Sequence, residues 1–316
     1  MCKKVLITSR SFGKLSSEPM EILRAAGFEA ENMGTNFDPV RFEQILPEYD
    51  ALIIGAHALP PELLDKCPKL KIICKHGVGL DNIPLEKTRS LGITVTNTPG
   101  TNSEAVADLA FGLMLDVARN ITLSASHVRA GIAKQDVGVD VFGKVLGLMG
   151  FGRIAQAVAR RASGFGMKVL AYDPYVTVAP AGLEYVELAD KDEVLQKCDI
   201  LSMHLPLTKE TQNFIGAQEI AQMKDGAILI NTARGGVVRE AALYAALKDG
   251  KLRGAGLDVT QEEPTNRENP LLTLENVVIT NHIGMYSREA ITAVSLLCAE
   301  AVRDLFAGKQ PRNRVL

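Results

Sequence analysis

Short runs of aliphatic and β-branched residues recur along the chain, and each ends at a turn-forming or polar stretch. The first set is Val5-Leu6-Ile7, Ala51-Leu52-Ile53-Ile54, Ile72-Ile73-Cys74 and Ile93-Thr94-Val95, closed by stretches such as GAH, KHG and NTPG. The second set is Val145-Leu146-Gly147-Leu148, Val169-Leu170-Ala171-Tyr172, Ile200-Leu201-Ser202-Met203, Ala227-Ile228-Leu229-Ile230, Ala255-Gly256-Leu257 and Val277-Val278-Ile279. Continuous apolar runs, as opposed to strict alternation, indicate strands buried on both faces. Longer helical patterns separate them, which predicts an α/β fold with parallel sheets. The best-marked helix lies in "TNSEAVADLAFGLMLDVARN", where Thr101 and Glu104 have the spacing of a capping box and Val106, Leu109, Leu113 and Val117 recur at helical intervals. Thr98-Pro99-Gly100 breaks the strand before it, and the strand–helix alternation starts afresh beyond, as expected at a crossing between domains. "RAGIAKQDVGVD" at 129–140 has no period and reads as a surface arm.

Composition narrows the picture without naming a chemistry. The 316 residues suggest about two domains at ~150 residues each. An apolar fraction of 47% with 23% charged residues is an ordinary globular balance. A formal charge of -2 gives no electrostatic reason to expect nucleic acid or a membrane surface as partner. No apolar run approaches the ~20 residues of a membrane span, and MCKKVLITSR lacks the pattern of a signal peptide, so residue 1 reads as the start of the fold. Five cysteines, an odd number without a CxxC pair, suggest neither a disulfide framework nor a metal site and fit a reducing cytoplasm.

Candidate chemistry enters with "VLGLMGFGRIAQAVARR". Gly150-Phe151-Gly152-Arg153-Ile154-Ala155 matches G-x-G-x-x-G/A, follows an apolar strand and opens a helical pattern. Asp173 stands 23 residues after Gly150, at the end of the next strand. That context predicts dinucleotide binding: Gly150 for the tight turn, Gly152 for close approach of the pyrophosphate, and the helix N-terminus for its charge. A carboxylate at Asp173 accepts hydrogen bonds from a ribose diol and repels a 2′-phosphate, so NAD is expected over NADP.

Three further stretches fall at predicted strand ends on the same side of the sheet: "NTARGG" (231–236), "LDVTQEEP" (257–264) and "TNHIG" (280–284). Ligands of open parallel sheets bind beyond the carboxyl ends of the strands. Arg234, Glu263 and His282 are therefore expected to converge on the nicotinamide end of the cofactor. Moving a hydride to or from an alcohol carbon requires a proton transfer at its oxygen, which suits a histidine near neutral pH. A neighbouring carboxylate would orient the ring and favour its protonated form, and an arginine fork would hold a substrate carboxylate. Taken alone, His282 reads as a loop histidine that caps or packs; the other stretches turn that reading toward chemistry. Lys75 and His76 could reach an anionic substrate tail or form a solvated loop edge, while His57 and His127 read as structural or exposed and His204 as shaping the adenine side.

These stretches, with "KHGVGLDNIPLEKTRSLGITVTNTPGTNSEAVADLAFGLML", "LPLTKETQNFIG" and "INTARGGVVRE", resemble the D-isomer-specific 2-hydroxyacid dehydrogenase family over nearly the whole chain, and within it the phosphoglycerate dehydrogenase branch without a C-terminal regulatory domain. The resemblance implies two doubly wound parallel-sheet domains. A Rossmann NAD-binding domain (99–286) would be inserted in a flavodoxin-like substrate domain (1–98 plus 287–316). It implies Arg234, Glu263 and His282 as catalytic residues, and Gly77, Val78, Gly79 and Arg234 as substrate-binding residues. Cofactor contacts would fall at Gly150, Gly152, Arg153, Ile154, Asp173, Leu205, Thr232, Ala233 and Asp258, the last receiving the nicotinamide carboxamide. It implies a homodimer built on the helix and arm. 3-Phosphoglycerate is the first substrate to expect, with glyoxylate or hydroxypyruvate as alternatives. The family's formate dehydrogenases are a neighbouring reading, but that branch has a glutamine beside the histidine where this chain has Glu263, and the family's non-enzymatic, NAD-sensing corepressors form a reading from another class. Asn281 stands where many relatives have proline, Met285 where a small residue is usual, and the arm lacks tryptophan.

Overall fold

The computed structural model describes residues 2–316. The chain forms two compact units, Met1–Asn102 with Met285–Leu316, and Ser103–Gly284. In the first, β1 (Lys3–Ile7), β2 (Phe28–Asn32), β3 (Ala51–Ile54), β4 (Ile72–Lys75) and β5 (Thr94–Thr96) form an all-parallel sheet in the order β2-β1-β3-β4-β5. In the second, β6 (Val145–Met149), β7 (Lys168–Tyr172), β8 (Val186–Leu188), β9 (Ile200–Met203), β10 (Ala227–Asn231), β11 (Leu252–Leu257) and β12 (Val277–Ile279) run parallel in the order β12-β11-β10-β9-β6-β7-β8. Both sheets are parallel throughout, as expected from the continuous apolar runs, and doubly wound, as the resemblance implied. Strand order reverses beside β1 in one and beside β6 in the other, and such switch points are where ligands bind in open α/β sheets.

The central runs are buried because helices cover both faces. Ala51–Ile54 and Ile200–Met203 are buried at every position. β12 differs from expectation: its three residues are only half-buried, because it is an edge strand. β2 and β8 stand at other edges, with the polar sequences FEAEN and VEL. An edge strand has one covered flank and needs few apolar residues, so neither gave a hydrophobic run in the sequence.

The last helix, Arg288–Phe306, returns to the first unit. Ser287 Oγ caps it by accepting from Ala290 N at 3.1 Å, and Cys298, Ala299, Ala301 and Val302 pack with Val5, Ile7, Ile53 and Cys74. The helix Ser103–Arg119 carries the expected buried face of Val106, Leu113 and Val117. The capping box does not form. Thr101 Oγ1 donates instead to Thr98 O at 2.7 Å, and the Glu104 carboxylate pairs with Arg160 and Arg161. Two arginines on a neighbouring helix outcompete the local backbone N–H for that carboxylate.

His76 also departs from both readings of the sequence. It is buried at 4% exposure, with Nε2 2.9 Å from Ser295 Oγ on the last helix and its ring edge-on to Phe12. Burial, aided by the charge of Lys75, lowers its pKa from 6.5 to about 3. The unfolded chain therefore takes up a proton below about pH 6.5 that the folded chain refuses until about pH 3. This histidine alone should make stability fall with acidification in that window, by at most about 1.4 kcal/mol per pH unit. Urea midpoints measured across it should fall less steeply for His76→Gln than for the wild type; equal slopes would remove His76 as the source.

Candidate active site

The glycine loop forms where β6 ends. Gly150 has φ +91°, and a Cβ there would lie 2.8 Å from His204 O, at the end of β9 across the switch point. A side chain at 150 would have to push the adjacent ends of β6 and β9 apart. At Gly152 the opposite holds: an added Cβ would meet nothing within 4 Å, so the backbone is open to a ligand. The helix Arg153–Gly164 starts immediately after, with Arg153 exposed, Ile154 partly buried and Ala155 fully buried against the sheet. Its first N–H groups have no intrahelical acceptor and face any anion placed there.

Asp173 braces this loop. One carboxylate oxygen accepts from Phe151 N at 2.8 Å and the other from Tyr175 N at 2.9 Å. An ionised carboxylate has about four acceptor positions, so each oxygen keeps one for a ribose hydroxyl. Leu205 and Thr232 are buried near the strand ends of β9 and β10, and Thr232 Oγ1 is a buried hydroxyl with no hydrogen-bond partner among the described residues. An open glycine, free helix N–H groups and an orphaned hydroxyl together fit a dinucleotide.

The turns after β10, β11 and β12 adjoin because those strands are neighbours in the sheet. After β10, Asn231 Oδ1 accepts from Ala233 N at 3.0 Å and Asn231 Nδ2 donates to Arg234 O at 2.9 Å, which closes a tight turn. Arg234 Nη1 donates to Ala233 O at 2.7 Å, orienting the guanidinium. Gly235 is indispensable to the register of this turn. A Cβ there would fall 1.9 Å from Thr260 O, inside the backbone of the turn after β11.

After β12, Asp258 organises the loop. Its Oδ1 accepts from Thr280 Oγ1 at 2.6 Å and Ile283 N at 2.8 Å, and its Oδ2 accepts from Gly284 N at 2.8 Å. Its carbonyl accepts from His282 N at 2.9 Å. These bonds hold His282 in the left-handed region, φ +49°, a conformation that costs a non-glycine residue of order 1 kcal/mol or more. Sequence reasoning assigned Asp258 only to the cofactor and missed this clamp; one acceptor position on Oδ2 remains for a carboxamide N–H. His282 Nδ1 lies 2.7 Å from Glu263 Oε2, and the two side chains are 44% and 37% exposed. Nε2 has no partner among the described residues and can meet a reacting oxygen.

In the other unit, the loop after β4 is pinned by its carbonyls. Gly77 O accepts from Thr98 N at 3.0 Å, and Val78 O accepts from Asn97 Nδ2 at 2.8 Å. The N–H groups of Val78 and Gly79 make no hydrogen bond with described residues. Elsewhere, His57 Nε2 lies 2.7 Å from Thr8 Oγ1 and its ring stacks on Phe37, while His127 Nδ1 lies 2.8 Å from Asp136. His204 Nε2 lies 2.9 Å from Ser202 Oγ, and its carbonyl backs Gly150. No cluster of three metal-ligating side chains occurs among the described residues, and none of their helices is long and apolar enough to cross a membrane.

A seven-stranded doubly wound sheet with a glycine loop at its switch point defines a dinucleotide-binding protein. Residues 111–284 match the family described as D-isomer specific 2-hydroxyacid dehydrogenase, NAD binding domain. The chain belongs to the D-isomer-specific 2-hydroxyacid dehydrogenase family. It is 45% identical over 280 residues to a glyoxylate reductase of Thermococcus litoralis, covering 85% of this chain and 84% of the relative. It is 39% identical over 316 residues to a D-3-phosphoglycerate dehydrogenase of Methanocaldococcus jannaschii, covering 99% of this chain and 59% of the relative. The chain thus spans about three-fifths of the length of that dehydrogenase. Among solved structures, the TT0316 protein of Thermus thermophilus superposes with a TM-score of 0.92 at 37% identity, covering 99% of this chain and all of that one.

Proposed function

We propose that this protein is an NAD-dependent dehydrogenase that interconverts D-2-hydroxyacids and 2-oxoacids. The observation that carries the reading is the His282–Glu263 pair at 2.7 Å, held at the carboxyl ends of adjacent strands in the sheet that bears the glycine loop. Residues 99–286 hold the cofactor, with Gly150, Gly152, Arg153 and Ile154 at the pyrophosphate, Asp173 at the ribose, and Leu205, Thr232, Ala233 and Asp258 completing the site. Bound there, the cofactor supplies or accepts the hydride. In reduction His282 Nε2 gives its proton to the carbonyl oxygen, and in oxidation it takes that proton back. Glu263 fixes the ring through Nδ1. The N–H groups of the Gly77-Val78-Gly79 loop, in a substrate domain of 1–98 plus 287–316, hold the substrate carboxylate, and Arg234 is a substrate-binding residue. 3-Phosphoglycerate is the first substrate to try, and glyoxylate and hydroxypyruvate are the alternatives. NADH absorbance in the presence of a 2-oxoacid panel tests the reading: an NAD-sensing binding protein would bind NADH and oxidise it with none of them.

Asp173 predicts the cofactor. A 2′-phosphate would meet its carboxylate, so kcat/KM for NADH should exceed that for NADPH severalfold or more. Because Asp173 also ties Phe151 N and Tyr175 N, Asp173→Ala should weaken NADH binding as well as narrow the preference. Equal use of both cofactors by the wild type would overturn the assignment.

The same reading makes the protein a homodimer built on the helix Ser103–Arg119 and the arm at 129–140. Ile121 and Val128, on the helix Ile121–Arg129 that links the two, and Val137 in the arm are 54%, 74% and 86% exposed, an apolar surface that a second copy would cover. Light scattering should give about twice the chain mass of 34.1 kDa, and a monomer would refute it. A reducing cytoplasm suits a chain whose five cysteines are unpaired, and cell fractionation checks the placement.

A further inference from the structure

Two side chains wall the α-carbon of Gly77 in the loop after β4. A Cβ built on Gly77, whose φ is +145°, would lie 4.0 Å from Met285 Sδ and 3.6 Å from Lys75 Cε, with no other atom beyond its chain neighbours within 4 Å. What faces this point is a thioether and a methylene. The Lys75 ammonium is drawn away, donating to Gly55 O at 2.7 Å and Asn82 Oδ1 at 2.8 Å. Met285 is half-buried and belongs to the same unit as the loop.

We infer that Met285 selects the group carried by C2 of the substrate, and that the enzyme favours short, unphosphorylated 2-oxoacids. The inference rests on the function proposed above and decides among its substrates. A carboxylate held by the Val78 and Gly79 N–H groups places C1 at this loop. The first atom of the group on C2 lies only about 2.5 Å from C1, as bond lengths and angles at carbon require. That group is therefore within reach of the side chains beside Gly77. Hydrogen, methyl or hydroxymethyl on C2 can rest against a thioether, which is polarisable and fills irregular space. A phosphate dianion would shed water against a methylene and a thioether, neither of which donates a hydrogen bond, and an uncompensated buried charge is costly. Lys75, the nearest cation in the sequence, presents carbon to the site because its charge is committed to Gly55 and Asn82.

The test compares kcat/KM for glyoxylate, hydroxypyruvate and 3-phosphohydroxypyruvate with NADH. The wild type should prefer the first two over the phosphorylated acid by at least about tenfold. Met285→Gln keeps the length of the side chain and adds an amide donor. One hydrogen bond to a charged group contributes about 1.5–3 kcal/mol, so the phosphorylated-to-unphosphorylated ratio should rise about tenfold or more. Met285→Ala opens the wall, and substrates with larger groups on C2 should gain in relative kcat/KM. A wild type that prefers the phosphorylated acid, or ratios that stay within twofold in both variants, would overturn the inference while leaving the dehydrogenase reading intact. A wild type that reduces no 2-oxoacid would overturn both.

Discussion

Replacing His282 with alanine is expected to lower turnover with 2-oxoacids by roughly 10²–10⁴-fold, the usual worth of general acid–base catalysis. The position needs a second variant. His282 stands at φ +49°, where alanine is strained, so His282→Ala could also loosen the loop. Asparagine tolerates this conformation, and His282→Asn keeps the backbone N–H to Asp258 O while removing the proton relay. Both variants should lose turnover alike and still bind NADH. A fully active His282→Asn would remove the histidine from the chemistry. Glu263→Gln isolates the partner. The amide oxygen can still accept from Nδ1, but an uncharged acceptor holds the ring more weakly than the carboxylate does. Turnover with 2-oxoacids should fall, by less than in His282→Asn, while NADH binding stays near the wild-type value. Unchanged turnover would break the pairing.

Arg234→Lys is expected to cost roughly 10–10² in kcat/KM for every 2-oxoacid, on the scale of one lost hydrogen bond to a charged group at about 1.5–3 kcal/mol. Arginine offers two parallel N–H donors to a carboxylate, and the lysine ammonium cannot reproduce that fork. The structure adds a further reason for rigidity. The Asn231–Arg234 turn is closed by two hydrogen bonds, and Arg234 Nη1 is tied to Ala233 O, so the guanidinium is oriented by its own backbone. Lysine would lose that orientation too. NADH affinity, measured by fluorescence titration without substrate, should remain near the wild-type value. Unchanged kinetics would take Arg234 out of the site.

Local signals made the cofactor cradle and most of the sheet legible in the sequence. A glycine loop between a buried strand and a helix is specified by residues within about one element of each other, and the observed Gly150 conformation follows from that spacing. The central strands were legible because burial on both faces demands uninterrupted apolar residues. β2 and β8 were not, since edge strands carry polar residues and their pairing is decided by their neighbours. The sequence also placed His282, Glu263 and Arg234 at strand ends. Which side chain met which was a tertiary decision. Glu104 had the spacing of a cap yet bonded Arg160 and Arg161, because a charged partner on another helix outweighs a backbone N–H. His76 read as reaching a substrate tail or edging a solvated loop, but the last helix returns more than two hundred residues later to cover it. Asp258 carried no local mark of its grip on residues 280–284, which exists only because β11 and β12 lie side by side. Strand ends are set by patterns a few residues long, whereas hydrogen-bond partners depend on which strands become neighbours, and that is determined only when the whole sheet is assembled.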